Sequence, residues 1–174
     1  TRDEGVALYC TGGVQCPAQA LAKLNHVVSR AAFDIEGLGP ETHEQLFELK
    51  IVTQPVDLLT RLLSELSTIQ DIPGFGSLTI ANLEAAILRA KTISLERFIY
   101  ALGIYSVGQS ISKRLAKFYK TIEEFTEALR VIRKQESDVA YLELLSVPGI
   151  GAAVATDIMM FFTEGGEEII QSLV

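Results

Sequence analysis

Apolar residues recur along this chain at helical spacing, and the strict alternation that marks strands is scarce. Leu58, Leu59, Leu62, Leu63 and Leu66 make a stripe that would face a core from a helix. Ile80, Leu83, Ala86 and Ile87 repeat it, as do Ile111, Leu115 and Phe118. Leu46, Leu49 and Val52, with Phe47, fit one helix face after Pro40, which suits a first helical turn. Further helices are predicted near 95–102, 122–132, 138–145, 152–163 and 166–173. The first 20 residues have no such period and read as a loop-rich knuckle. The predicted fold class is all-α, with many short helices.

The joints between these helices repeat. They read Ile35-Glu36-Gly37-Leu38-Gly39, Ile72-Pro73-Gly74-Phe75-Gly76, Ile104-Tyr105-Ser106-Val107-Gly108 and Val147-Pro148-Gly149-Ile150-Gly151. Aligned on the central apolar residue, they lie 37, 32 and 43 residues apart, too irregular for a solenoid. Four copies of a helix–joint–helix unit with variable linkers fit better. In such a joint the glycines tolerate positive φ, and Leu38, Phe75, Val107 or Ile150 points back to pin the two helices. The next helix then offers unpaired amides and the positive end of its dipole to an approaching phosphate. A lone glycine there would be an ordinary helix cap. Fourfold repetition favours a phosphate-binding hairpin, with Gly37, Gly39, Gly74, Gly76, Gly108, Gly149 and Gly151 as its contact positions. The third joint, with Ser106 in place of a glycine, departs furthest from the pattern.

Charge alters this picture in one place. The chain has 174 residues and a net charge of −7, a poor total for a nucleic-acid binder. By segment, residues 1–30 carry +1, 31–60 −5, 61–95 0, 96–120 +4, 121–143 −3 and 144–174 −4. The single basic segment follows the third joint. Lys113, Lys117 and Lys120 fall at i, i+4 and i+7 beside Arg114, so Lys113, Arg114 and Lys117 become candidate phosphate contacts, a solvated face being the plainer alternative.

With 48% apolar residues the chain is no disordered segment, and its apolar runs, such as 158–162, are far short of a membrane span of roughly 20 residues. No secretory signal is evident, and the opening Thr1 suggests a fragment or a processed chain. Two cysteines cannot staple a domain of this size. Cys10-Thr11-Gly12-Gly13-Val14-Gln15-Cys16 could bring two thiolates to one Zn²⁺, but a structural site needs four ligands. His26 and His43, the only histidines, lie in helical stretches and read as surface or core positions.

Cys-Thr-Gly-Gly-x-x-Cys, then His26-Val27-Val28-Ser29-Arg30, Asp34-Ile35-Glu36-Gly37-Leu38-Gly39 and Phe98-Ile99-Tyr100-Ala101-Leu102-Gly103-Ile104-x-x-Val107-Gly108, resembles the bacterial NAD-dependent DNA ligases. The resemblance runs from about residue 5 to the end. It implies the second half of a four-cysteine zinc finger over 1–25, with Cys10 and Cys16 as two of four Zn²⁺ ligands. It also implies a helix-hairpin-helix DNA-binding domain over 26–174. The family seals nicks in duplex DNA, using NAD to adenylate a lysine in a Lys-x-Asp-Gly motif, with Mg²⁺. None of the seven lysines here is followed by x-Asp-Gly, so NAD, Mg²⁺ and the catalytic residues belong to the parent alone. The implied partners are nicked duplex DNA, gripped on its minor-groove side, and the parent's other domains. The implied location is the bacterial cytoplasm. A helix-hairpin-helix part of another DNA repair protein, and an acidic protein-interaction scaffold, are the alternatives.

Overall fold

The structure, a computed structural model, describes residues 17–174. Its described part is helical throughout: α1 (Pro17–Val28), α2 (Pro40–Glu48), α3 (Pro55–Leu59), α4 (Arg61–Ile69), α5 (Ser77–Ala90), α6 (Leu95–Ala101), α7 (Gln109–Tyr119), α8 (Ile122–Arg133), α9 (Asp138–Ser146), α10 (Ala152–Phe161) and α11 (Glu167–Leu173). The all-α expectation is borne out. Cys10 and Cys16 lie outside the described residues. Helix α1 begins at Pro17 and crosses residue 25, so the loop-rich reading fails for residues 17–20, and the expected boundary after 25 falls inside a helix.

Each joint links two helices that pack on one another: α1 with α2, α4 with α5, α6 with α7, and α9 with α10. The central residues Leu38, Phe75, Val107 and Ile150 are 7, 2, 5 and 4% exposed and belong to a single apolar core. Burying such a side chain stabilises the fold by about 1.5–3 kcal/mol, so each joint is anchored from within.

Several helices stop where the apolar pattern continues. Helix α2 ends at Glu48 because Lys50 adopts φ 57. The Lys50 and Ile51 amides then donate back to the Phe47 and Leu46 carbonyls, a Schellman closure. Leu49 is left half exposed, and Val52 enters the core from beyond the helix. The leucine run from 58 to 66 is two helices, broken at Thr60 (φ −118, ψ −79). The Thr60 hydroxyl donates to the Val56 carbonyl at 2.9 Å, in competition with helix continuation. The stretch expected as one helix over 152–163 stops at Phe161; a wide turn over Phe162–Gly166 follows, with Gly165 at φ 100.

Side chains from distant parts of the sequence tie the units together. On α6, Arg97 donates to the carbonyls of Ala32 (2.8 Å) and Arg30 (2.7 Å), in the turn that leads into the first joint. The His26 ring lies 2.7 Å from the Tyr100 carbonyl, so α1 is also fastened to α6. Glu167 of α11 pairs with both Arg130 and Arg133 of α8.

Candidate nucleic-acid interface

The four joints share one backbone conformation. The residue before each central apolar residue has positive φ: Gly37 at 93, Gly74 at 98, Ser106 at 63 and Gly149 at 87. The residue after it, always glycine, is an extended N-cap with φ between −94 and −63. Gly39, Gly76, Gly108 and Gly151 each accept at 3.0 Å from the amide four residues on: His43, Ile80, Ser112 and Ala155. Ser106 therefore does not interrupt the pattern; it takes the left-handed conformation at the cost a non-glycine residue incurs there.

With glycine at each N-cap, no N-cap side chain closes the amides at these four helix starts. A Cβ built on Gly39, Gly76, Gly108 or Gly151 would meet nothing within 4 Å. The joints differ in charge, however. Helix α2 loses one amide to Pro40 and carries Glu41 in its first turn, with exposed Glu36 and Glu44 nearby in sequence. Helices α5, α7 and α10 have no acidic residue in their first turns.

Lys113 and Lys117 are exposed on α7, one helical turn apart, and make no ion pair among the described residues. Lys120 does not complete the face: α7 ends at Tyr119 and Lys120 turns out at φ 62. The apolar stripe shifts with it, since Tyr119 is buried and Phe118 is 42% exposed. Arg114 is also exposed, but its guanidinium is engaged, with Nη1 donating to the Pro148 carbonyl of the fourth joint at 2.8 Å. Sequence spacing does not reveal that bond, nor Tyr105, which stands 69% exposed in the third joint. A large aromatic residue where the other joints have Glu36, Pro73 and Pro148 is the available signal.

Behind the first joint His43 is fully buried, with Nδ1 2.6 Å from the Asn25 side-chain oxygen and no partner for Nε2 among the described residues. Burial pushes its pKa below the ordinary 6.5. The folded state then holds the ring neutral where the unfolded chain would protonate it. His43 should cost the fold nothing above about pH 6.5 and destabilise it progressively below, by at most about 1.4 kcal/mol per pH unit. Urea unfolding of the wild type and of His43→Leu across this range checks the expectation; the variant's stability curve should be flatter on the acid side.

Among the described residues no group of three or more His, Cys, Asp or Glu side chains could hold a metal ion. Nor is any helix there long and apolar enough to cross a membrane. A cavity of about 540 Å³, lined by residues such as Phe33, Leu59, Lys91, Phe98 and Ser172, includes no joint residue and is not part of this site.

The family described as helix-hairpin-helix motif matches residues 97–170, which hold the third and fourth joints. Among known proteins, the chain is 42% identical to a DNA ligase of Parvibaculum lavamentivorans over 89% of its length. It is 40% identical to DNA ligases of Afipia carboxidovorans and of Rhodopseudomonas palustris, over 94% of its length in each case. The resemblance to DNA ligases is therefore borne out. The chain spans about a quarter of the length of these curated relatives, 22–24%, as a fragment of a ligase does.

Proposed function

We propose that this chain is the duplex-gripping segment of a bacterial NAD-dependent DNA ligase, holding the phosphate backbone on the minor-groove side of a nick while other parts of the parent seal it. The observation that carries the reading is the set of four N-capping glycines. Their φ values suit any residue, and no described neighbour excludes a Cβ, so nothing among the described residues requires glycine there. What the missing side chains leave is open access to uncapped amides. An external anion that must approach the backbone closely accounts for that fourfold choice. Such contacts position a duplex without reading its bases, so binding is independent of sequence.

On this reading all four joints are helix-hairpin-helix units. NAD and Mg²⁺ act in the parent's other domains, in the bacterial cytoplasm. Cys10 and Cys16 supply two of four Zn²⁺ ligands. The grip helps ligation by aligning the nicked ends.

The test is fluorescence anisotropy of nicked and intact labelled duplexes across a salt series, with the wild type and with Gly108→Ala/Gly151→Ala. The wild type should bind both duplexes regardless of sequence, and more weakly as salt rises. The variant should stay folded, losing about 0.5–1 kcal/mol per cap, yet bind more weakly. Equal affinity for wild type and variant would remove the open-amide reading. No wild-type binding at low salt, even with the parent's upstream sequence restored, would favour the scaffold.

A further inference from the structure

We infer that Arg114 is a positioning residue, a strut that fixes the fourth joint against the third so that both meet one duplex together. The inference rests on the reading just given. Arg114 projects from α7, the helix that the third joint starts. Its Nη1 donates to the Pro148 carbonyl at 2.8 Å across 34 residues of sequence. The seat is close-fitting: a Cβ on Gly149 would stand 2.5 Å from that same Nη1 and 4.0 Å from the side chain of Ile111, also on α7. Gly149 is required by φ 87, and a Cβ there would also push the guanidinium, the far end of a flexible side chain, off its seat. Gly74, at the same place in the second joint, has nothing within 4 Å of its Cβ position.

The charge of Arg114 is not used among the described residues. Its partner is a neutral carbonyl, and it forms no ion pair among the described residues. A guanidinium suits this task because its planar fork can hold one carbonyl with a single N–H and leave other donors to solvent, which an ammonium on a flexible stem cannot do as rigidly. The bond also places a cation close before the start of α10, where the helix dipole is positive. That juxtaposition is unfavourable in the free protein and relieved when an anion arrives. The strut therefore sets the spacing of two amide clusters and leaves the pair short of negative charge.

The test uses this chain with Arg114→Met, Arg114→Lys and Gly149→Ala, and the combination Arg114→Met/Gly149→Ala. Amide hydrogen exchange without DNA is read at Ile150, whose N–H closes the fourth joint on Val147, and at Phe75, its counterpart in the second. Both arginine variants should speed exchange at Ile150 and leave Phe75 unchanged. Affinity for the nicked duplex should fall about tenfold in Arg114→Met, the scale of a hydrogen bond to a charged group. Arg114→Lys should recover only part of it. Gly149→Ala should weaken binding less in the Arg114→Met background than in the wild type, because the colliding group is gone. Full recovery by lysine with unchanged exchange at Ile150 would make Arg114 a plain phosphate contact and overturn the strut. If the wild type itself binds no duplex, the functional reading fails while the exchange result still decides the strut.

Discussion

The Gly74→Val/Gly149→Val chain is expected to lose about 2–6 kcal/mol of stability and most of its affinity for duplex DNA. Both positions have positive φ, at 98 and 87, where a β-branched residue is strained by about 1–3 kcal/mol. At Gly149 the new side chain also meets the Arg114 guanidinium. At Gly74 the space is open, so strain alone acts there. For a chain of this length the loss corresponds to a fall in Tm of about 4–24 °C. Thermal unfolding of the two single variants separates the contributions, and Gly149→Val should be the more damaging. DNA binding should fail with the backbone, since valine excludes the left-handed turn that aims the following amides. A folded double variant that binds DNA as the wild type does would sink the hairpin model.

Replacing Lys113 and Lys117 with alanine should weaken binding to every duplex alike while leaving stability almost untouched. Both side chains are exposed on α7 and make no ion pair among the described residues, so little in the fold depends on them. Each lysine–phosphate interaction removed should flatten the slope of log K against log salt by about 0.9. With two removed, the variant's deficit should shrink roughly tenfold between 50 and 200 mM salt. An unchanged slope would mean that the basic face is only solvated. Lys120→Ala is the internal control, because that residue leaves the helix at φ 62 and should matter less.

These two variants draw on information of different range. The hairpin glycines belong to a motif five residues long, and its recurrence is visible without any fold. Even the exception, Ser106, is aligned by its neighbours Ile104, Val107 and Gly108, although its left-handed backbone is not evident from them. The lysine face is legible only as far as the helix is. Helix ends depend on a few tenths of a kcal/mol per residue, and apolar periodicity runs through them. That is why Val52 reads as part of α2, and the leucines before and after Thr60 as a single helix.

By itself the sequence determined the helical class, the four joints, their anchoring residues and the resemblance to DNA ligases, because each is written in residues no more than a few positions apart. Only the tertiary structure decided which charges are spent and which are free. Arg97 reaches carbonyls 65 and 67 residues away, and Arg114 one 34 residues away, while Lys113 and Lys117 form no ion pair in the described fold. It likewise showed that the N-capping glycines face open space, whereas Gly149 faces a guanidinium. The physical reason is that backbone conformation is set by neighbours along the chain, whereas the partner of a long side chain is set by whichever segment the core folds against it.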